Sequence, residues 1–280
     1  LNLQITMLLF VSQGDLYAAF LDFRTYFSYN DYISSNKDIQ GKYCFRLRGL
    51  YMKKTVIITG ATDGIGKALA ILLSKEYNLA LCGRNEDKMK QLTQNLGDCH
   101  VYAQCFDITD REKRHTFCEN VKIEFGSADV LINNAGANTK KDKIIDINLD
   151  DLRYMFELNC VSAVGMIQEI YPLMAEKQCG LVVNILSSCC LFNNPMTGSY
   201  SASKDAMEGI SKILTKEAKA DHIGVCNVYP GGVDTHFRSV ANHNYLKPET
   251  IAKMIKACIE NEDGCVHDIV IRPFIEDNMP

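Results

Sequence analysis

Residues 198–204 read GSYSASK, with a tyrosine and a lysine four residues apart among small residues. This spacing is about one helical turn, so the Tyr200 phenol and the Lys204 ammonium could share one face of a helix. A phenol can transfer a proton, and a neighbouring ammonium favours its phenolate form. The same spacing occurs at ordinary helix-packing edges. The pair predicts acid–base chemistry only if other elements place a reactant beside it.

The bulk composition is typical of a globular protein, since 47% of the 280 residues are hydrophobic and 23% are charged. A formal net charge of −4 gives no basic excess, so we expect no nucleic-acid partner. The twelve cysteines and six histidines lack zinc-ligand spacing. We therefore expect no metal, and free thiols in a cytoplasmic protein. The adjacent Cys189 and Cys190 leave a redox role open as an alternative to packing.

Residues 1–51 differ from the rest, because they hold 11 of the 25 aromatic residues. Their apolar run at 5–11 is shorter than the roughly 20 residues that cross a bilayer, and it lacks the basic n-region and small-residue cleavage site typical of a secretory signal. We expect no membrane contact. This segment is either upstream of a true start at Met52 or a genuine extension that packs on the domain or anchors it. The predicted organisation is an N-terminal extension, 1–51, and a single nucleotide-binding domain, 52–280.

From Met52 onward, apolar runs alternate with helical stretches. The runs lie at 55–59, 78–83, 101–107, 129–136, 180–186, 224–230 and 267–273. Continuous Val/Ile/Leu runs are typical of strands buried on both faces, which occur in parallel sheets covered by helices. The pattern predicts an α/β fold with a doubly wound, Rossmann-type parallel sheet and helices on both faces, in a single domain.

The first predicted strand leads into TGATDGIG at 59–66, with glycines at 60, 64 and 66. Glycine is needed where a turn bends sharply, approaches a pyrophosphate closely and opens a helix whose N-terminus faces the phosphates. The spacing GxxxGxG differs from the GxGxxG dinucleotide fingerprint, and a plain strand-to-helix turn is the alternative. Its place after the first strand of a doubly wound pattern favours nucleotide binding.

The second predicted strand ends in Cys82-Gly83-Arg84. A carboxylate at this position would hold the ribose 2′-hydroxyl of NAD, whereas an arginine accommodates a 2′-phosphate. Glu86 and Asp87 are better explained as the acidic first turn of the next helix. We therefore predict NADP(H), with NAD(H) as the alternative.

These motifs, in this order, resemble the classical short-chain dehydrogenase/reductase family over residues 54 to about 236. They are TGATDGIG, Asp107, NNAG at 133–136, Asn159, NILSS at 184–188, Tyr200 with Lys204, and PGGVDT at 230–235. Ser187 precedes Tyr200 by 13 residues, the usual interval in the family. Ser188 is the alternative serine, because Leu186 departs from the family pattern.

The resemblance implies a catalytic set of Ser187, Tyr200, Lys204 and Asn159. Tyr200 would exchange the proton, Lys204 would favour its phenolate and bind the nicotinamide ribose, Ser187 would hold the substrate oxygen, and Asn159 would support a proton path. For Asn159 the alternative is a helix-interior amide bonded to a backbone carbonyl. Substrate contacts are expected from Ser187, Tyr200, Cys189, Phe192 and Asn193, the last three by position only.

The resemblance also implies cofactor contacts from the glycine turn, the strand ends and the PGGVDT segment. These residues are Gly60, Thr62, Asp63, Gly64, Ile65, Gly66, Arg84, Asp107, Ile108, Asn134, Ala135, Gly136, Tyr200, Lys204, Pro230, Gly231, Val233 and Thr235. For Asp107 the alternative is the N-cap of the next helix.

The expected function is an NADP(H)-dependent oxidoreductase acting on a small ketone, aldehyde or 3-hydroxy acid. The short segment 236–247 after PGGVDT favours a small substrate. A 3-oxoacyl-carrier-protein reductase is the second choice, because the C-terminal strand and tail lack that group's glycine-rich ending. A non-catalytic nucleotide sensor or scaffold is the alternative of another class. By family analogy we expect a homodimer or homotetramer.

Overall fold

The computed structural model describes residues 7–12, 15–20, 53–235, 237, 242–261 and 263–276. The chain divides into two compact units, 1–44 and 45–280. In the first unit, β1 (Met7–Ser12) and β2 (Asp15–Phe20) pair as an antiparallel hairpin. The rest of the predicted extension, 1–51, lies outside the described residues.

A sheet of seven parallel strands forms the centre of the second unit, in the order β5-β4-β3-β6-β7-β8-β9. The strands are β3 (Thr55–Thr59), β4 (Asn78–Gly83), β5 (Val101–Cys105), β6 (Val130–Asn133), β7 (Gly180–Ile185), β8 (Ile223–Pro230) and β9 (Asp268–Ile271). All seven predicted strands are present, and the order reverses beside β3, as in a doubly wound sheet. The predicted fold class is confirmed.

Seven α-helices connect the strands in the part of the chain that is described. They are α1 (Gly64–Leu73), α2 (Glu86–Gln94), α3 (Arg111–Phe125), α4 (Leu149–Phe156), α5 (Ser162–Glu176), α6 (Gly198–Glu217) and α7 (Pro248–Ile259). Asparagine or aspartate side chains cap the first four helices by accepting backbone N–H groups, as helix N-termini require. Between α4 and α5 lies a π-helical segment, Glu157–Val161.

The strands have apolar side chains on both faces, so two cores form. On β3, Val56 and Ile58 belong to the core that contains Leu69 of α1 and Ile255 of α7. Ile57, between them, belongs to the opposite core with residues of α3 and α5, including Phe117 and Met166. Successive side chains of a strand point to opposite faces, so helices on both sides are needed to bury this run.

A chain of polar side chains crosses the sheet from β6 to β9, buried as far as Asn227 and ending at the exposed Asp268. Asn133 Nδ2 donates to Asn184 Oδ1 at 2.9 Å, and Asn184 Nδ2 donates to Ser211 Oγ of α6 at 2.8 Å. Ser211 Oγ donates to Asn227 Oδ1, whose Nδ2 donates to Asp268 Oδ1 at 3.1 Å. A slip of one strand would leave these buried groups unpaired, so the chain helps to fix the strand register.

Gly165 of α5 makes room for a buried arginine. An ideal Cβ at Gly165 would lie 2.5 Å from Arg114 Nε. Arg114 is 6% exposed, and its Nη1 donates to the Ile108 carbonyl at 2.8 Å. We predict that Gly165→Ala lowers the free energy of unfolding by about 1–3 kcal/mol, because the added methyl group displaces this arginine. Chemical denaturation measures the change.

The control is the same substitution in an Arg114→Ala background, where the guanidinium is gone. There Gly165→Ala should cost little or become stabilising, since alanine is the better helix former. An equal loss of stability in both backgrounds would contradict the predicted clash.

Candidate active site

The residues assigned to the site lie at the carboxyl ends of central strands. The glycine turn follows β3, the NNAG segment ends β6, Ser187 follows β7, and the PGGVDT segment begins at the end of β8. In a doubly wound sheet these ends meet at one edge, beside the point where the strand order reverses. Segments distant in sequence are thereby brought to one crevice.

The turn after β3 has glycine at the three positions where a side chain would be strained or would clash. Gly60 and Gly64 have φ of 65° and 50°, a left-handed backbone that favours glycine. A Cβ at Gly66 would overlap the Gly60 carbonyl oxygen. Asp63 Oδ1 accepts the Gly64 N–H at 2.8 Å and caps α1, and Ile65 is partly buried in its first turn. The turn thus fits a dinucleotide pyrophosphate at the helix N-terminus.

The NNAG segment is tied to this turn through Thr59. Its Oγ1 accepts the backbone N–H groups of Asn134 and Ala135, each at 3.0 Å. Asn134 Nδ2 donates to the Thr59 carbonyl at 2.9 Å and to the Gly60 carbonyl at 3.1 Å. Movement of either segment would break several bonds at once, so the two are positioned together.

The PGGVDT segment lies against the same turn. A Cβ at Gly64 would be 3.0 Å from Thr235 Cγ2. Pro230 is the last residue of β8, the Gly231 N–H donates to the Ile271 carbonyl at 2.8 Å, and Val233 is 8% exposed. Of the predicted short segment 236–247, only Phe237 and residues from 242 onward belong to the described chain.

Arg84 stands at the end of β4, as predicted, and its Nη1 donates to Tyr154 Oη at 3.4 Å. Nearby, the Lys88 ammonium pairs with the carboxylate of Asp63. This pair offsets the negative charge that Asp63 would otherwise present beside the turn. Thr62 packs on Gly83, where a Cβ would lie 2.7 Å from Thr62 Cγ2.

The helix starts after β4 and β5 decide two of the sequence interpretations. Glu86 and Asp87 form the acidic first turn of α2, as predicted. Asp107 is not an N-cap, because Asp110 caps α3, so that alternative is wrong. Instead, Asp107 Oδ1 accepts the backbone N–H of Thr109 at 3.0 Å and its hydroxyl at 2.9 Å. Ile108 is the next residue, and its side chain is buried, with 6% of its surface exposed.

Lys204 is a charged side chain in the interior, 5% exposed. Its Nζ donates to the Ile185 carbonyl at the end of β7, at 2.8 Å. A Cβ at Gly136 would lie 3.2 Å from this Nζ, so the NNAG backbone approaches the ammonium closely. Burial lowers the pKa of Lys204, although the nearby thiols act in the opposite direction.

Asn159 lies in the π-helical segment, next to Gly136 and Lys204. Its Oδ1 accepts the Ala137 N–H at 2.9 Å, and its Nδ2 donates to the Ala137 carbonyl at 3.0 Å and to Ser203 Oγ at 2.9 Å. The predicted alternative, an amide bonded to a backbone carbonyl, therefore describes part of its role. The wider π turn, a feature frequent at functional sites, occurs at this residue.

Tyr200 occupies the first turn of α6, and its ring centroid lies 5.7 Å from that of Phe237. Ser187 precedes a short 3₁₀ turn, Ser188–Cys190, and its Oγ accepts the Cys189 N–H at 3.2 Å. The Cys189 thiol interacts with the side chains of both Ser187 and Ser201. The serine turn thus packs on the start of α6, beside Tyr200.

The C-terminal segment contributes residues that no sequence motif indicated. The Arg272 guanidinium lies 4.2 Å above the centroid of the Phe192 ring. Its Nε donates to Glu276 Oε2 at 3.0 Å, and Glu276 Oε1 accepts the Gly232 N–H at 2.7 Å. Phe192 is thereby linked to the PGGVDT segment, while Asn193 is exposed to solvent.

The structure brings together three residues of types that can bind metals, a grouping that the sequence spacing did not predict. Ligand atoms of Cys190, Asp205 and Glu208 lie within 4.8 Å of one another. Glu208 Oε1 already accepts from Lys212 Nζ at 2.8 Å and from Tyr229 Oη at 3.0 Å. The Glu208 carboxylate of this grouping is thus already hydrogen-bonded within the protein.

This chain is similar to known proteins in both sequence and fold. The sequence profile described as short chain dehydrogenase matches residues 54–246, more than half of the chain. The chain belongs to the short-chain dehydrogenase/reductase family. The predicted resemblance is confirmed, and the protein is therefore placed among oxidoreductases. In the described short-chain dehydrogenase fold, no helix has the length and apolarity to span a bilayer.

Proteins similar to this chain match it over nearly their whole length. An uncharacterized oxidoreductase of Staphylococcus aureus strain N315 is 31% identical over 225 residues, 79% of this chain and 97% of the relative. An NADP-dependent 3-hydroxy acid dehydrogenase of Schizosaccharomyces pombe is 29% identical over 239 residues, 79% and 92% of the two chains. The structure of an alcohol dehydrogenase from Thermococcus sibiricus, complexed with 5-hydroxy-NADP, superposes with a TM-score of 0.72 at 24% identity, covering 79% and 97%.

Asn159 satisfies three polar groups in a buried site, so its loss should be costly. We predict that Asn159→Leu lowers the free energy of unfolding by about 1–3 kcal/mol, because both backbone groups of Ala137 lose this partner and the Ser203 hydroxyl loses one of its hydrogen bonds. Chemical denaturation measures this, with the exposed Asn193→Leu as a control that should change stability little. Equal stability of the Asn159 variant and the wild type would contradict the inferred network.

Proposed function

We propose that this protein is an NADP(H)-dependent oxidoreductase that transfers a hydride between nicotinamide and a small carbonyl compound or secondary alcohol. The main support is the burial of Lys204 four residues after Tyr200, next to Gly136 and Asn159. A charged group is costly to bury, so its retention beside a phenol favours a chemical role. A ketone, aldehyde or 3-hydroxy acid is the proposed substrate, supported by the S. pombe relative.

In this proposal Ser187 and Tyr200 act on the substrate oxygen. When bound, NADPH supplies the hydride that reduces the carbonyl carbon. The Ser187 hydroxyl donates a hydrogen bond to the carbonyl oxygen and polarises it, and the Tyr200 phenol gives that oxygen its proton. For alcohol oxidation the phenolate of Tyr200 takes the proton back.

Lys204 makes the tyrosine effective in both directions. A free phenol has a pKa of about 10, so near neutral pH it is a poor proton acceptor. The Lys204 ammonium favours the phenolate, and its attraction is strong because little water screens the buried charge. Asn159, bonded to Ala137 and Ser203 beside this lysine, is the proposed support for the proton path to solvent.

The proposed NADP(H) site combines the glycine turn with two cations. The turn and the N-terminus of α1 would bind the pyrophosphate, and Arg84 would bind the 2′-phosphate. Lys88 offsets the charge of Asp63, which would otherwise repel that phosphate. The crystallised T. sibiricus enzyme, complexed with 5-hydroxy-NADP, is consistent with this choice. NAD(H) is the alternative.

The remaining cofactor contacts are proposed from position. Asp107 and Ile108 would flank the adenine, Asn134 to Gly136 the ribose, and Pro230 to Thr235 the nicotinamide. Cys189, Phe192 and Asn193 are the proposed substrate-facing residues of the serine turn.

Three further proposals concern organisation. Residues 1–51 are proposed as an extension preceding one nucleotide-binding domain, 52–280. A cytoplasmic location is proposed from the free thiols of the described chain. A homodimer or homotetramer is proposed because α5 and α6 present an apolar groove, lined by Val164, Ile167, Tyr171, Ile210, Ile213 and Leu214 among others.

Replacing the phenol tests the catalytic proposal. With a carbonyl substrate identified by a panel assay, Tyr200→Phe should lower kcat by about 10²–10⁴-fold, the usual contribution of a general acid. NADPH binding, followed by its fluorescence, should be nearly unchanged. Tyr102→Phe is the control, because the Tyr102 hydroxyl on β5 bonds Gln104 and none of the residues assigned to the site. Wild-type turnover in the Tyr200 variant would refute the assignment.

Cofactor choice is tested at Arg84. Arg84→Ala should weaken 2′,5′-ADP roughly 10- to 150-fold, the loss of about 1.5–3 kcal/mol for hydrogen bonds to a charged group. Binding of 5′-AMP, which lacks the 2′-phosphate, should stay the same. Arg153→Ala is the control, since Arg153 is exposed and paired with Asp150. Equal losses for both nucleotides would argue against NADP(H) recognition by Arg84.

A further inference from the structure

The turn after β7 contains two adjacent thiols next to the proposed substrate-binding serine. Cys189 is 6% exposed and Cys190 is partly exposed. The N–H of Cys189 donates to Ser187 Oγ at 3.2 Å, so the backbone between the thiols belongs to the turn that positions this hydroxyl. A covalent change at either sulfur would therefore alter the position of the Ser187 hydroxyl.

The two thiols have opposite surroundings. The Cys190 thiol, together with the side chains of Ser187 and Ser201 and the Lys204 ammonium, lowers the pKa of Cys189 to about 7. The pKa of Cys190 is raised by its contact with Cys189, by burial and by the carboxylate of Asp205. The hydrogen bonds to the Cys189 sulfur, the largest from the Cys190 thiol, favour the thiolate at Cys189, and the Lys204 ammonium adds to them. The same thiol–thiol contact, burial and the Asp205 carboxylate favour the thiol at Cys190.

Other cysteines provide a contrast. Burial raises the pKa of Cys82 to about 12 and also raises the pKa of Cys118, which favours the protonated thiol at both. The pKa of Cys258 is lowered by the Cys226 thiol, but these two residues lie on α7 and β8, away from the serine turn. Among the cysteines of the described segments, Cys189 combines a favoured thiolate with direct contact to the site.

We propose that Cys189 is an oxidation site for hydrogen peroxide, and that Cys190 converts the product into a disulfide that switches the enzyme off. The Cys189 thiolate attacks one peroxide oxygen, the O–O bond breaks, and Cys189 becomes a sulfenic acid while hydroxide leaves and takes a proton. The Cys190 sulfur then attacks the Cys189 sulfur, and the hydroxyl group departs as water with the Cys190 proton. Two thiols are oxidised and one peroxide is reduced to two waters.

This disulfide would disturb the turn and would be easily reversed. The Cα atoms of neighbouring residues are about 3.8 Å apart, below the usual disulfide range of about 4.4–6.8 Å. The strain makes such a bond readily reducible, and the backbone adjustment it needs would break the bond between the Cys189 N–H and Ser187. That loss of activity rests on the proposed role of Ser187, whereas the oxidation itself does not.

The test treats the full chain with hydrogen peroxide, alkylates the remaining thiols and maps the peptides by mass spectrometry. The peptide with Cys189 and Cys190 should lose two hydrogen atoms and escape alkylation, and activity should fall in proportion to its oxidised fraction. Dithiothreitol should restore both. In Cys190→Ser the sulfenic acid should persist and be captured by dimedone at Cys189.

Cys118→Ser and Cys258→Ser are the matched controls, and each should be inactivated at the wild-type rate. Peroxide that oxidises Cys258 while Cys189 stays reduced would refute the proposed site. A disulfide at 189–190 with activity retained would refute the switch. Because the peptide map needs no substrate, failure of the oxidoreductase assignment would leave the oxidation result readable.

Discussion

The burial of the Lys204 ammonium is the constraint on which the rest of the site depends. A charge that is 5% exposed needs polar partners, and the Ile185 carbonyl supplies one at the end of β7. A Cβ at Gly136 would lie 2.8 Å from Asn159 Oδ1 and 3.2 Å from the ammonium, so any other residue there would press on both groups. The lysine therefore determines how near the strand ends after β6 and β7 must lie to α6.

The strand ends beside Lys204 are also held in place by the hydrogen-bond network of the sheet. Asn133 and Asn184 lie on the strands that end beside this lysine, and their amides connect through Ser211 to β8 and β9. Asn159 performs a similar function for the helix pair by bonding Ala137 and Ser203. Buried polar groups that pair with one another favour one arrangement, because an alternative would break several of these hydrogen bonds at once.

The surroundings of the serine turn connect reactivity with position. Cys189 contacts Ser187 and Ser201, while Phe192 packs under Arg272 and so reaches the Gly232 backbone through Glu276. The proposed substrate side and the proposed nicotinamide side are thus joined by the C-terminal segment. A change in the turn at Cys189 would be transmitted to both.

The sequence by itself determined where the strands lie along the chain, the glycine turn, Arg84 at the end of β4 and the Tyr200–Lys204 pair. These features follow from local spacing and apolar runs. It did not reveal the π-helical segment at Asn159, the cap at Asp110, or the partners Arg272 and Glu276. The Asp110 cap is a local bond to the Lys113 N–H, a role for which other acidic residues nearby compete. The bonds of Asn159 to Ala137 and Ser203, and the contacts of Arg272 with Phe192 and of Glu276 with Gly232, join groups far apart in the chain that meet only once the sheet has formed. Local residue type determines what chemistry a side chain can do, and packing decides which groups meet, since only a folded interior removes water from a buried charge.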